Sequence, residues 1–380
     1  MPVMAQEPIK AILIDLIHPR MTSKQSMERL EELEHLVNTY GGIVVVKTYQ
    51  RRFAPHPRTY IGTGKAAELG KEAAELGAKL VIINDQLKPR QMYTIGEFLR
   101  PHGVQAWDRI DLILKIFAKH ARTTEARLEI ELASVRHMGP RIYGMGMELS
   151  RQGGGIGTSG VGETNTELMK RHLRAKEQKI REKLEQYQNV RDGHRKSRVR
   201  RGFKTAAIVG YTNAGKTTLL NALTGRREYA ADELFATLDT RVGQLWLPGS
   251  AQSVLVSDTI GFIKHLPPEL LQAFASTLSE AVDADLLLHV VDASDPHAMS
   301  QMRVVEEILG RLKIGETPRI LVFNKSDRIR AAARAAFVRK LGKEAPAPVW
   351  VSAARAEGFE DLSKAIEEQL AVSKNKTSAG

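Results

Sequence analysis

Short apolar runs alternate with amphipathic segments over the first part of the chain. The runs cover residues 11–17, 43–49, 79–85 and 103–107, and they are nearly continuous in apolar side chains. Such runs are typical of strands that are buried on both faces of a parallel sheet. Helical periodicity fills the gaps, near residues 24–39, 65–76 and 89–100. The pattern therefore predicts a small parallel α/β subdomain over residues 1–108.

The next segment, residues 109–198, has a different periodicity. Apolar residues recur at intervals of three, four or seven positions, first from Leu114 to Val135 and again from Met169 to Tyr187. This spacing predicts two long amphipathic helices that pack as an antiparallel hairpin. The connection at 151–163 contains six glycines. It is either a loop whose backbone approaches another molecule closely or a flexible connector.

Alternation of strands and helices returns in the last part of the chain. After a basic stretch at 195–203, which we interpret as a linker, apolar runs begin at Thr205, Gln244, Ser253, Ala284, Arg319 and Ala347. We predict a second α/β domain over residues 199–372 and a flexible tail over 373–380. The overall expectation is an α/β protein of three parts.

Positive charge is concentrated in the second helical series. The chain has a net charge of +12, and residues 170–204 alone contain 14 Lys or Arg and 4 Asp or Glu, a net +10. A solvated helix face is the plain interpretation. The alternative is a surface for a polyanion such as RNA, because clustered cations release counterions from phosphates.

Several protein classes are disfavoured by composition. The chain has no cysteine, which excludes disulfides, thiolate metal sites and a cysteine nucleophile. The apolar run near the N-terminus is interrupted by Asp15, so it does not read as a signal peptide. No run reaches the roughly 20 apolar residues of a membrane span. We expect a cytoplasmic protein without stable membrane insertion.

A phosphate-binding motif opens the last domain. The residues GYTNAGKT follow a predicted strand and begin a predicted helix, as G-x-x-x-x-G-K-[ST] requires. The backbone N–H groups at such a helix start bind phosphate oxygens, the lysine reaches the β- and γ-phosphates and the final hydroxyl binds Mg²⁺. The predicted nucleotide-binding residues here are Gly210, Tyr211, Thr212, Asn213, Ala214, Gly215, Lys216, Thr217 and Thr218.

Two further motifs follow in the order expected of a GTPase. DTIG places Asp258, which would hold Mg²⁺ through water, and Gly261, whose N–H would face the γ-phosphate. NKSD ends another strand, and its Asp327 can accept hydrogen bonds from guanine N1–H and the exocyclic amine, a donor pair that adenine lacks. The remaining base-pocket residues are predicted as Asn324, Lys325, Ser352 and Ala353.

The sequence also allows predictions about the catalytic step. Thr237 would offer its hydroxyl to Mg²⁺ and the γ-phosphate, with Thr240 as the alternative, and we assign the catalytic roles to Lys216 and Thr237. Phe262 stands where many GTPases place a water-orienting glutamine, so intrinsic hydrolysis should be slow. Asn213 either binds a K⁺ ion beside the phosphates or only stabilises the loop.

The complete set of motifs resembles the HflX family, within the Obg–HflX group of translation-related P-loop GTPases. The resemblance includes LFATLD, VSA and the upstream block GGIGTSGVGET at 154–164. It implies a protein that binds the large ribosomal subunit and its rRNA through the basic hairpin and the glycine-rich loop, and that splits or rescues stalled ribosomes. We also expect a monomer off the ribosome. The loop departs from the usual family pattern at Ser159 and Val161. In the switch segment, this chain has LDTRV where the family usually has LDPTTR.

Alternative functions remain open at the sequence level. The chain could be an assembly factor for which GTP drives docking and hydrolysis only drives release. A role in tRNA modification or at a membrane is disfavoured by the upstream block. IGTGK at 61–65 predicts either a turn into a helix or a second nucleotide site near Gly62–Lys65, although its spacing lacks the full phosphate-binding pattern.

Overall fold

The computed structural model describes residues 8–152, 161–225, 241–264, 270, 275–341 and 347–377. The chain divides into two compact units. The first contains Met1–Lys119 and Arg127–Leu184, and the second contains His120–Ala126 and Glu185–Gly380. These units differ from the three-part division that the sequence predicts, since most of the predicted hairpin segment clusters with the first unit.

The first unit begins with alternating strands and helices, as the sequence predicts. In chain order these are β1 (Ile9–Ile17), α1 (Ser23–Tyr40), β2 (Gly42–Arg51), α2 (Thr63–Glu75), β3 (Leu80–Ile83), α3 (Pro89–Leu99), β4 (Gln105–Asp108) and α4 (Arg109–His120). The strands form a four-stranded sheet in the order β2-β1-β3-β4, and every pairing is parallel. The predicted parallel α/β subdomain is therefore confirmed.

Burial explains why the strands are nearly continuous in apolar residues. All four residues of β3 are buried, and Ile12 and Ile14 of β1 pack with Leu69 of α2 and Ile95 of α3. A parallel sheet that is covered on both faces needs such sequences. Because parallel strands all end at one edge, the loops after them form a common rim at the carboxyl ends.

The two long helices of the hairpin are α5 (Thr124–Gln152) and α6 (Val161–Arg200). They run antiparallel, as shown by ion pairs between Glu125 and Arg191 at 3.0 Å and between Arg136 and Glu177, also at 3.0 Å. The glycine-rich tip predicted at 151–163 lies mostly outside the described residues.

Two local expectations for this region are wrong. The apolar series from Leu114 to Val135 belongs to two helices, because α4 ends at His120 and α5 begins at Thr124. The Thr123 hydroxyl accepts a hydrogen bond from the Ala126 N–H at 3.2 Å and so caps the new helix. The predicted linker at 195–203 continues α6 as far as Arg200, since no helix breaker occurs there and Arg198 pairs with Glu280.

The second unit contains the other α/β fold. Its elements are β5 (Lys204–Gly210), α7 (Lys216–Thr224), β6 (Arg241–Leu247), β7 (Gln252–Asp258), α8 (Ala275–Val282), β8 (Leu286–Asp292), α9 (Ala298–Arg311), β9 (Arg319–Asn324), α10 (Ala331–Leu341), β10 (Val349–Trp350) and α11 (Phe359–Thr377). The sheet order is β10-β9-β8-β5-β7-β6. All pairings are parallel except β6 with β7.

The core of this unit lies between the sheet and its helices. Ile208 of β5, Leu288 of β8 and Val322 of β9 are fully buried and pack with Leu219 of α7 and Ile366 of α11. This packing fixes the carboxyl ends of three neighbouring strands, where open parallel sheets bind ligands. Among the described residues, no helix combines the length and apolar character needed to cross a membrane.

Candidate nucleotide-binding site

The phosphate loop connects the end of β5 to the start of α7. β5 lies between β7 and β8, so the loop sits at the centre of the carboxyl edge of the sheet. α7 begins at Lys216, and its first N–H groups have no earlier helical carbonyl to bind. This arrangement provides an anion site at a helix N-terminus, as the motif predicts.

Glycine is required at two positions of this loop by close backbone approach. A Cβ atom at Gly210 would lie 2.2 Å from the Val290 carbonyl oxygen, and one at Gly215 would lie 2.3 Å from Asn324 Nδ2. Gly215 also has a φ of 85°, which disfavours other residues. The motif's two glycines therefore allow the loop to pack against β8 and the NKSD segment.

Lys216 is buried, with 7% of its surface exposed. Its Nζ donates to the carbonyl oxygens of Gly210 at 3.2 Å and Tyr211 at 2.9 Å. Burial lowers the pKa of Lys216 to about 8, although the nearby Asp258 carboxylate opposes that shift. The ammonium is thus held inside the loop, where an anion would restore its charged form.

Thr217 and Asp258 meet across the loop. The Thr217 hydroxyl donates to Asp258 Oδ2 at 2.7 Å, and Asp258 is fully buried at the end of β7. Two oxygen ligands from a hydroxyl and a carboxylate are the kind that Mg²⁺ prefers. The structure therefore brings together the two predicted metal-binding residues that it describes.

The segment after DTIG is joined to the phosphate loop by hydrogen bonds. The Thr212 N–H donates to the Phe262 carbonyl at 2.8 Å, and the Phe262 N–H donates to the Gly210 carbonyl at 3.1 Å. The Lys264 N–H donates to the Tyr211 hydroxyl at 2.9 Å. Phe262 is fully buried, so its side chain packs inside the protein.

The NKSD and VSA segments meet beside the loop. Asn324 Nδ2 donates to the Ala214 carbonyl at 2.9 Å, and its Oδ1 accepts from the Ala353 N–H at 3.0 Å. The Ser352 hydroxyl donates to Asp327 Oδ1 at 2.7 Å, and this hydrogen bond lowers the pKa of Asp327. Asn324 thus links the phosphate loop to the base side of the site.

One polar contact was not predicted from the sequence. Lys325 Nζ forms an ion pair with Asp292 Oδ2 at 2.7 Å, and Asp292 Oδ1 accepts hydrogen bonds from both the backbone N–H and the hydroxyl of Ser294. Asp292 ends β8, next to β9 in a parallel sheet. This position, at the end of the strand next to the one that ends in NKSD, could have indicated the contact with Lys325.

Other predicted positions are placed as follows. Thr237 and Thr240 lie outside the described residues. Asn213 has a φ of 61° in the loop, and its binding of K⁺ stays a prediction. At the possible second site, the Gly62 N–H donates to Gln50 Oε1 at 2.8 Å and Lys65 pairs with Glu68 at 2.6 Å, which supports the turn into α2.

Three protein-family models match this chain between residues 27 and 325. Residues 27–118 match a family described as "GTP-binding GTPase N-terminal", and residues 120–198 match one described as "GTP-binding GTPase Middle Region". Residues 205–325 match the family "50S ribosome-binding GTPase".

Individual relatives are similar over more than nine-tenths of this chain. GTPase HflX from Caldanaerobacter subterraneus is 42% identical over 367 residues, which cover 97% of this chain and 82% of the relative. GTPase HflX from Escherichia coli is 38% identical over 358 residues, which cover 93% of this chain and 82% of the relative. The chain belongs to the HflX family of GTPases. As an HflX-type protein it binds GTP and hydrolyses it, and the predicted family resemblance is confirmed.

A solved structure supports the fold of this HflX-family chain. The crystal structure of SsGBP in complex with GDP aligns with a TM-score of 0.53 and 26% sequence identity. The alignment covers 96% of this chain and 98% of the other. The likeness extends through both compact units.

Proposed function

We propose that GTP binds at the carboxyl edge of the second sheet, with its phosphates in the loop from Gly210 to Thr218 and its base against NKSD. The buried Thr212 hydroxyl has no hydrogen-bond partner among the described residues, and a phosphate oxygen would accept from it. Asp327 reads the guanine N1–H and amine, and Ser352 holds its carboxylate in place. Ala353 presents its N–H to the base pocket.

The same site fits a Mg²⁺ ion. The Thr217 hydroxyl and the Asp258 carboxylate are adjacent, and Asp258 would act through a water molecule. Bound there, Mg²⁺ would neutralise charge that develops on the phosphates. The switch ligand is proposed to be Thr237, with Thr240 as the alternative.

Hydrolysis depends on positioning and charge neutralisation. Lys216 stabilises charge on the β- and γ-phosphates, and the Gly261 N–H faces the γ-phosphate. Phe262 is buried and apolar, so it does not orient the attacking water. We therefore infer slow intrinsic turnover, which a partner accelerates by ordering the catalytic segment.

That partner is proposed to be the large ribosomal subunit. The observation that carries this proposal is the match of residues 205–325 to a family described as a 50S ribosome-binding GTPase. The net +10 over residues 170–204 supports it, because rRNA offers a dense array of phosphates. Exposed cations on α6 include Arg171, Arg174 and Lys179.

Sucrose gradients distinguish the two proposed roles on the ribosome. We incubate intact ribosomes with the full chain and a non-hydrolysable GTP analogue, and then separate particles by sedimentation. Conversion to subunits supports ribosome splitting or rescue. Comigration with the large subunit without splitting supports the alternative, an assembly factor that hydrolysis releases. Absence of the chain from every ribosomal fraction would contradict both.

A further inference from the structure

A basic surface with one exposed aromatic ring lies at the carboxyl ends of β1 and β2. We call it the rim patch and define it by His18, Arg20, Arg51, Arg52, Phe53 and Arg58. Residues 18–27 contain no Asp or Glu, and residues 47–65 contain five Lys or Arg and no Asp or Glu. Its residues belong to the first unit, and none of them is part of the phosphate loop, of NKSD or of the basic stretch 170–204.

The cations of the rim patch are not neutralised by carboxylates. Within the described part of the chain, none of its four arginines forms an ion pair. Arg51 instead donates to the carbonyl oxygens of Pro19 and Met21, each at 2.9 Å. Arg52 Nε donates to the Ala54 carbonyl at 3.3 Å. Such neutral partners hold the side chains while leaving their positive charge available to an anion.

Phe53 is the most exposed large apolar side chain in the described part of the chain, at 80%. Its ring lies 5.4 Å from the His18 ring at an interplanar angle of 80°. Leaving an apolar ring in water forgoes the stabilisation that burial would give. Because the ring contacts His18, it lies against the loop that also carries the exposed Arg20.

The loop that carries the patch is internally braced. His56 and Tyr60 exchange backbone hydrogen bonds at 2.7 and 2.9 Å, and His56 Nδ1 faces the Thr59 hydroxyl at 2.8 Å. Gln91 Nε2 of α3 donates to the His56 carbonyl at 3.0 Å. A braced loop loses little conformational entropy when a ligand binds.

This combination of groups selects a ligand class. Single-stranded RNA presents unstacked bases that stack on aromatic rings, and phosphates that bind arginine. An acidic peptide would use the arginines but gain little from one exposed ring. A membrane surface would need a wider apolar face than a single phenylalanine provides.

We propose that the rim patch binds single-stranded RNA, with one base stacked on Phe53 and adjacent phosphates on Arg20, Arg52 and Arg58. The proposal rests on the proposed ribosome association only for the natural source of such RNA. The binding chemistry is independent of it and can be measured with a free oligonucleotide.

The test is fluorescence anisotropy with a labelled 12-nucleotide oligouridine and the full chain. To limit binding by α6, every protein carries Lys170→Gln, Arg171→Gln and Arg174→Gln. Phe53→Ala should weaken binding about tenfold, within the range for loss of one stacked base, and Phe53→Tyr should retain it. Trp246→Ala removes another exposed ring, 58% exposed, and should leave binding unchanged.

The charge component is tested by salt dependence. Arg20→Gln with Arg58→Gln should lower the slope of log affinity against log salt by about 1.4, or about 0.7 for each phosphate contact. Equal affinity of the Phe53→Ala and parent proteins for RNA would overturn the proposal, as would no RNA binding at all. Preference for a polyglutamate peptide or for phosphatidylserine vesicles over RNA would also overturn it.

Failure of this proposal is distinguishable from failure of the ribosome role. The same Phe53→Ala protein is sedimented with ribosomes and the GTP analogue, and loss of RNA binding with retained sedimentation leaves both proposals intact. If RNA binding is insensitive to Phe53 while the chain still sediments with ribosomes, only the rim patch is refuted.

Discussion

Asp327 is the residue that we propose determines which base the site accepts. Its carboxylate is held by the Ser352 hydroxyl at 2.7 Å, next to the segment that contacts the phosphate loop. Because a carboxylate accepts where an amide would present a donor, Asp327→Asn should weaken GTP binding by at least 100-fold and favour xanthosine triphosphate. Competition calorimetry measures both affinities. Asp361→Asn, at an exposed carboxylate, is the control and should change neither; unchanged selectivity in Asp327→Asn would contradict the assignment.

Asp292 is expected to position Lys325 without taking part in hydrolysis. Asp292→Asn replaces an ion pair of 2.7 Å by a neutral contact. We expect a loss of about 1 kcal/mol in binding free energy, which would weaken both GTP and GDP binding about fivefold. Single-turnover hydrolysis of bound GTP should keep its rate, since the contacts of the Asp292 side chain in the described part of the chain are with Lys325 and Ser294. A slower chemical step with unchanged affinity would refute the positioning role.

Lys216 should couple nucleotide binding to proton uptake. Burial lowers its pKa to about 8, so above pH 8 the free protein carries less than a full proton at this site. Bound phosphates raise that pKa again, and GDP affinity should therefore fall as pH rises above about 8. Calorimetry at pH 8.5 in two buffers of different ionisation enthalpy measures the uptake. Identical apparent enthalpies in both buffers would rule it out.

At the scale of elements, a buried polar cluster joins α5 to the end of β4. Arg141 forms ion pairs with Asp108, which is fully buried, and with Asp111 at 2.7 Å. Burial would raise the pKa of Asp111, but hydrogen bonds from His137 and Arg141 lower it to about 2. Three of these groups could ligate a metal, but the guanidinium of Arg141 already bridges both carboxylates. The cluster is therefore a structural attachment of the hairpin.

Removing the cation of this cluster should destabilise the first unit strongly. Arg141→Met removes the guanidinium that bridges the two carboxylates and leaves them the longer contacts with His137, each at 3.3 Å. We expect a loss of about 3–5 kcal/mol in the free energy of unfolding. Arg136→Met is the matched control on α5, because its ion pair with Glu177 is partly exposed and should contribute less than about 1 kcal/mol. Urea denaturation monitored by circular dichroism measures both. Similar midpoints for the two variants would show that the cluster contributes little.

The sequence predicted those strands and helices in which the pattern of apolar residues follows from the faces that are buried. β1 and β3 were identifiable because both faces are covered, and the phosphate loop because its residues have fixed spacing. The break between α4 and α5 was missed since apolar spacing continues across Thr123. The Asp108–Arg141 pair joins residues 33 positions apart, and no local pattern reports such a contact. Asp292 was also missed, although its position at the end of the strand next to the one that ends in NKSD could have indicated its contact with Lys325.

At the scale of the whole molecule, charge and nucleotide binding are separated along the chain. The residues of the proposed GTP site all belong to the second unit, whereas the basic stretch 170–204 contains residues of both units and the rim patch belongs to the first. Extended basic surfaces outside the catalytic site are expected of a GTPase that acts on a large RNA-containing partner. Regulation of such an enzyme is expected to occur through that partner's effect on hydrolysis.

The most direct measurement is the single-turnover rate of GTP hydrolysis by the purified chain, alone and with large ribosomal subunits. The buried Phe262 leads us to expect an intrinsic rate on the order of 10⁻⁴ to 10⁻³ per second, as in unstimulated small GTPases, and stimulation of at least about 100-fold by the subunits. Rapid hydrolysis by the chain alone, or a slow rate that ribosomal subunits leave unchanged, would contradict the account.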